Sequence, residues 1–307
     1  MEGSGLRHHN AIVVLGPTAS GKTRVGVHLA HGLGGEILSA DSRQVYLGCD
    51  LGSGKDLHEY SYSGTAIPYH LIDLVTLETE YSVFDFQRDF FHAYEQILAR
   101  AALPVIVGGT GLYLDAVLRG YRMVEAPINA ALRNELVPYS DEALRTRLHQ
   151  LRPNQHNTTD LVERERMVRA IEIAECERTR IPEPTPRLNA FLIGLQWPRA
   201  VLRKRIEARL KQRMRAGLAD EVKHLHEAGV SWERLDRLGL EYRAVSQLLR
   251  GGHPSERAMI DRLTIDIGQF AKRQETWFRR MERQGHTIHW IQGDDAEAAL
   301  ALVRALE

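Results

Sequence analysis

Eight residues near the N-terminus, Gly16-Pro17-Thr18-Ala19-Ser20-Gly21-Lys22-Thr23, limit what this chain can fold into more than any other feature. They fit the phosphate-binding loop pattern G-x-x-x-x-G-K-[ST] and follow Ala11–Leu15, a short apolar run that reads as a buried strand. Apolar Val25, Val27, Leu29 and Ala30 then suggest a helix over Arg24–Gly32. The pattern works only where a strand delivers the backbone to a helix N-terminus. There the glycines let N–H groups converge on phosphate oxygens, Lys22 adds a point charge, and the Thr23 hydroxyl can ligate Mg²⁺. A fortuitous glycine-rich turn is the plain alternative, and the match in both pattern and context argues against it. The loop predicts phosphate binding without naming the ligand: ATP, GTP and a diphosphate ester all fit.

The rest of the chain repeats the strand–helix alternation. Glu36–Ser39 is another short apolar run, a helix is expected over Val83–Ala102, and Leu103–Val107 reads as a third strand leading into Gly108-Gly109-Thr110-Gly111. Strands that alternate with helices and end in small-residue turns imply a parallel sheet with its ligand site at the strands' C-terminal ends. From about Met123 the pattern becomes helical and rich in Arg and Glu, up to a proline-punctuated break at Ile181–Pro186. Ala190–Leu195 then looks like a returning strand, a long helix starts near Pro198, and a last helix covers Arg262–Arg283. The expected fold class is α/β, a P-loop NTPase-like parallel sheet flanked by helices with a small mainly helical insertion domain. Residues 1–122 and 187–307 would form the core and residues 123–186 the insertion.

Composition removes some function classes. With 40 basic and 40 acidic side chains, a nucleic-acid binder must concentrate its positive charge locally. Cys49 and Cys176 stand far apart without a Cys/His partner pattern, which excludes a disulfide scaffold and a cysteine zinc site. The 14 histidines show no ligand spacing. Residues Met1–Asn10 are polar, and the apolar run after them is too short for a signal segment or a membrane span. A cytoplasmic monomer without a membrane partner is the expectation.

Two further groups of residues carry chemistry. Asp41, in Ser39-Ala40-Asp41-Ser42-Arg43-Gln44-Val45-Tyr46, follows a buried strand at the same sheet edge as the loop. It can be read as a Mg²⁺ ligand, as a general base facing an amino group, or as a helix cap. Arg199–Arg215 holds eight Lys/Arg against one acid, Glu207. Its apolar stripe Leu202, Ile206, Leu210 and Met214 runs beside a stripe of Arg205, Arg209 and Arg213 displaced by about 60°. A solvated charged face accounts for most of these basic residues.

Taken together, GPTASGKT and SADSRQVY resemble the tRNA dimethylallyltransferases, which are isopentenyl-diphosphate:tRNA transferases. The resemblance continues through Tyr69–Asp73, Tyr81–Phe86, Pro104–Leu114, Arg166–Glu172 and Ala271–Arg279, in order over roughly residues 11–290. It implies transfer of a dimethylallyl group from dimethylallyl diphosphate, held with Mg²⁺ by Gly16 to Thr23, to N6 of the tRNA adenine next to the anticodon. It makes Asp41 the base and Arg209 a clamp on the diphosphate, and it sets Thr110 against the donor or the flipped nucleotide. Implied tRNA contacts are Asp41, Ser42, Arg43, Gln44, Thr110, Arg133, Arg166, Arg169, Tyr242 and Arg243; Thr23 is the implied metal ligand. The chain departs from the family at Gly52-Ser53-Gly54-Lys55-Asp56, where a G-T-A-K-P-like segment is usual, and at Glu241. Both departures are expected on the acceptor side. Three rival readings stay open: prenyl transfer to free AMP, ADP or ATP, a small-molecule P-loop kinase, and a non-catalytic relic. The retained insertion disfavours the first. The lack of an Asp near Gly108 disfavours the second, and intact Lys22, Thr23 and Asp41 disfavour the third.

Overall fold

Ala11–Leu15 (β1) is buried at every residue because it lies inside a sheet with strands on both sides. In the computed structural model, which describes residues 9–153 and 163–306, its neighbours are β6 (Leu103–Gly108) and β7 (Ala190–Gln196). Beyond β6 lie β2 (Gly35–Ala40) and β5 (Tyr69–His70); beyond β7 lies β8 (Ile288–Gln292). All pairings in this six-stranded sheet are parallel, so all connections cross over and the loops after the strands share one rim. Two further short strands, β3 (Ser61–Tyr62) and β4 (Thr65–Ala66), pair antiparallel as a separate hairpin.

Alternate residues of β1 face opposite layers. Ile12 and Val14 pack with Val25 and Leu29 of α1 (Lys22–Leu33) and with Leu300 and Val303 of α12 (Ala296–Arg304). Ala11, Val13 and Leu15 pack with Phe86 and Phe90 of α2 (Val83–Ala99), Leu114 of α3 (Gly111–Leu118), and Phe278 of α11 (Glu256–Arg283). The expected Val83–Ala102 helix stops at Ala99, since Ala101 turns left-handed (φ 56°) to enter β6. The helix expected from Arg262 begins at Glu256, where the Ser255 side chain caps it by accepting from Ala258 N. β8 and α12 lie outside the elements expected from the sequence: β8 is an edge strand paired with β7 alone, and its sequence IHWIQ buries only Ile288 and Ile291.

A third hydrophobic cluster joins α7 (Arg199–Arg215), α8 (Leu218–Glu227), α9 (Trp232–Arg237), α10 (Leu240–Leu249) and α11. The stripe Leu202, Ile206, Leu210, Met214 is its α7 face. No helix among the described residues is long and apolar enough to cross a membrane.

The chain divides into two compact units, one ending at Gly120 and resuming at Arg187, the other spanning Tyr121–Pro186. The second unit contains α4 (Ala130–Leu136), α5 (Asp141–Leu151) and α6 (Arg164–Thr179) around Leu132, Leu136, Leu144, Leu148, Met167 and Ile171. Glu172 organises its polar interior. It is 1% exposed and accepts from Arg133 Nε (2.7 Å) and Nη2 (3.0 Å), Arg169 Nη1 (3.1 Å) and Asn129 N (3.0 Å). Burial alone would raise its carboxyl, but these donors, Arg133 first, hold it below the usual carboxylate range.

Candidate active site

The loop after β1 closes without help from a helix cap. Gly21 takes φ 90°, and α1 begins directly at Lys22 with no side chain bonded to its first N–H groups. A Cβ at Gly21 would also stand 2.6 Å from Asp294 Oδ2, so conformation and space both demand glycine. The buried Ser20 hydroxyl finds no protein partner, and Ala19 is held at φ 60°. A bare helix N-terminus, an orphaned hydroxyl and a lysine together can cradle a phosphate. Lys22 Nζ donates to Pro17 O at 2.8 Å. Burial pushes its ammonium down to about 8; the nearby Asp41 charge works against that shift and Arg209 adds to it.

Residues far away in sequence hold this loop in shape. Arg205 Nε donates to Ala19 O at 2.9 Å, stacks 4.2 Å over Trp197, and pairs with Asp294 at 3.1 Å. Trp197 Nε1 donates to Ser20 O at 3.0 Å. Gln274 accepts from Thr18 N at 2.9 Å and donates to Gly109 O at 2.8 Å, tying the phosphate loop to the turn after β6. No pattern in the sequence marks Trp197 or Asp294. Gln274 lies within the Ala271–Arg279 segment that carried the resemblance, and that was the only available signal.

Sheet register brings the other candidates level. Leu15 and Ala40 are both in register with Gly108, so Gly16, Asp41 and Gly109 leave three adjacent strands at one height. Asp41 Oδ1 accepts from Arg43 N at 2.9 Å, which orients the carboxylate, and Thr110 Oγ1 accepts from Ser42 N at 3.1 Å, which leaves the threonine proton able to donate. Arg209 lines a cleft with Thr18, Ala19, Arg213 and Glu241. A half-buried lysine, a guanidinium and a bare helix N-terminus can hold two linked phosphates, while a carboxylate at the same rim can take a proton.

The IPP transferase family profile matches residues 44–281. The tRNA dimethylallyltransferase 1 of Geotalea uraniireducens is 55% identical over 285 residues, 93% of either chain. The tRNA dimethylallyltransferase 2 of Syntrophotalea carbinolica is 57% identical over 286 residues, 92% of this chain and 94% of that one. The chain belongs to the IPP transferase family. The crystal structure of a Bacillus halodurans tRNA isopentenylpyrophosphate transferase agrees, with a TM-score of 0.69, 30% identity, and coverage of 97% of this chain and 95% of that one.

Several residues expected to touch tRNA do other work. Gln44 is 7% exposed, accepts from Ser39 Oγ at 2.7 Å and donates to Gly54 O at 3.1 Å. Tyr242 is 1% exposed, with its hydroxyl donating to Glu221 at 2.7 Å. Both side chains are buried, and their polar atoms are bonded within the protein. Arg133 and Arg169 are taken up by Glu172. Arg166, half exposed, lies 3.7 Å from Glu163, and exposed Arg243 donates to Asp236 O at 3.0 Å. The departures from the family pattern also fall elsewhere than expected. Asp56 pairs with Arg209 and Arg213, and Glu241 lines the cleft beside Thr18 and Ala19. They sit on the phosphate-loop side, because the Gly52–Asp56 loop folds back onto α7. Burial raises the Glu241 carboxyl, opposed by the charges of Arg213 and Arg209.

Proposed function

We propose that this chain transfers a dimethylallyl group from dimethylallyl diphosphate to N6 of the tRNA adenine next to the anticodon, releasing diphosphate. The observation that carries the reading is the common rim of β1, β6 and β2, with the phosphate cradle at one end and Asp41 at the other. The high identity to tRNA dimethylallyltransferases supports the donor and the acceptor.

In this reading the diphosphate lies on the N–H groups at the start of α1, between Lys22 and Arg209. Among the described residues no cluster of His, Cys, Asp and Glu could hold a metal by itself. The residue that would hold a Mg²⁺ is Thr23, through its hydroxyl, and the ion would supply positive charge against the departing diphosphate. Thr110 donates its hydroxyl proton to the donor or the base. Asp41, oriented by Arg43 N, accepts a proton from N6 as the new N6–carbon bond forms and the allylic carbon–oxygen bond breaks, the electron pair leaving on the diphosphate. The enzyme works as a cytoplasmic monomer, with exposed Arg166 and Arg243 available to the tRNA backbone.

Incubation with labelled dimethylallyl diphosphate and either bulk tRNA or AMP tests the reading directly. Label should enter tRNA alone. Label in AMP, or phosphoryl transfer from ATP with no prenyl transfer, would replace it with one of its rivals.

Lys22 makes donor binding pH-dependent. Its free-state pKa is lowered to about 8, and a bound diphosphate favours the charged form and raises it again. Affinity should hold below pH 8 and fall as pH rises through it, by up to about tenfold per unit. Binding at pH 8 should take up a proton, read from the dependence of calorimetric enthalpy on buffer ionisation. Both effects should be missing in Lys22→Ala, and a flat profile in the unaltered protein would contradict the assignment of Lys22.

A further inference from the structure

The loop Gly52–Asp56 holds a carboxylate against the arginines that a diphosphate needs. The loop is fixed from both sides. Gln44 Nε2 donates to Gly54 O, while Lys55, 1% exposed, donates to Tyr46 O at 2.8 Å, to Asp50 at 2.7 Å and to Asp73. Gly54 sits at φ 70°, and a Cβ there would stand 1.8 Å from Arg213 Nη2, so the bare glycine is what admits that guanidinium. Asp56, itself at φ 42°, offers the single oxygen Oδ2 to Arg209 Nη2 at 2.5 Å and to Arg213 Nη2 at 3.4 Å.

The two arginines differ in exposure. The Arg213 side chain is 9% exposed and its buried Nε finds no protein partner, whereas Arg209 is 32% exposed. Burial alone would raise the Asp56 carboxyl, but the charges of Arg209 and then Arg213 hold it below the usual carboxylate range. The carboxylate is therefore charged at neutral pH, held from both sides, and bonded to the more exposed of two cations beside the phosphate loop.

We propose that Asp56 is a resident counter-ion that competes with diphosphate for Arg209. Donor binding moves Arg209 from Asp56 to a phosphate oxygen, and departure of the product returns it. Arg213 makes the exchange possible by staying with Asp56, so that no part-buried carboxylate is left without a partner. The device lowers affinity for donor and product alike and so favours product release. This inference rests on reading the phosphate loop as a diphosphate site.

The test is calorimetric titration of magnesium pyrophosphate into the unaltered protein, Lys22→Ala, Asp56→Asn, Arg209→Ala and the Asp56→Asn/Arg209→Ala double variant. Asp56→Asn should bind about tenfold more tightly, the size of one charge-assisted hydrogen bond. The gain should vanish in the Arg209→Ala background. Equal or weaker binding by Asp56→Asn with unchanged thermal unfolding would overturn the proposal, as would an undiminished gain without Arg209. If Asp56→Asn unfolds at the assay temperature, Asp56→Ser serves in the same comparison. Failure of the unaltered protein to bind pyrophosphate, or binding untouched by Lys22→Ala, would instead remove the diphosphate reading and the inference with it.

Discussion

Asp41→Asn should lower single-turnover prenyl transfer by roughly 10²–10⁴-fold, the usual contribution of a positioned general base. Adenine N6 is a poor nucleophile, since its lone pair is delocalised into the ring, and it attacks more readily as its proton is accepted. Asparagine keeps the shape and the oxygen that accepts from Arg43 N, so the turn after β2 should survive. The removed property is basicity. Affinity for dimethylallyl diphosphate and Mg²⁺ should stay close to that of the unaltered protein. If Asp41 were a metal ligand, donor affinity would fall in step with the rate and extra Mg²⁺ would partly restore activity. Unchanged turnover would leave Asp41 with only its turn-forming bond. Donor affinity and transfer rate measured on the same variant separate these outcomes.

Arg209→Ala should lower kcat by on the order of 10²-fold or more, because its charge matters most as negative charge builds on the departing diphosphate. The neighbours on α7 offer a contrast. Arg205 is committed to Ala19 O, Trp197 and Asp294, so Arg205→Ala should loosen the phosphate loop and act mainly on donor affinity. Arg213 is buried beside Asp56, so Arg213→Ala should cost thermal stability before chemistry. A normal kcat in Arg209→Ala, with a collapsed kcat in either neighbour, would move the clamp to that neighbour.

What could be read from the sequence was what is local. The phosphate loop, its strand and its helix are contiguous, and the buried runs at β1, β2, β6 and β7 are apolar enough to stand out alone. What could not be read depends on partners brought together by folding. Gln274 meets Thr18 across 256 residues, and Asp294 meets Arg205 across 89. Nothing in the spacing marks either one. β8 escaped notice because an edge strand needs only a half-buried, weakly apolar sequence. The burial of Gln44 and Tyr242, and the bonds that hold them to Ser39, Gly54 and Glu221, are likewise invisible in their segments. The Gly52–Asp56 departure was visible as a departure, but only the fold reveals that it faces α7.

The strand order also bears on synthesis from the N-terminus. β5, β2, β6 and β1 are complete once Leu103–Gly108 has been made, yet β1 is then an open edge, buried in character and bare on the side that β7 will cover. Tyr121–Pro186 must be translated before β7 appears, and the residues that fix the phosphate loop come later still, at Trp197, Arg205, Gln274 and Asp294. During synthesis the residues of the half-sheet are therefore all made before the strand that covers its most apolar edge. The motif made first becomes competent last.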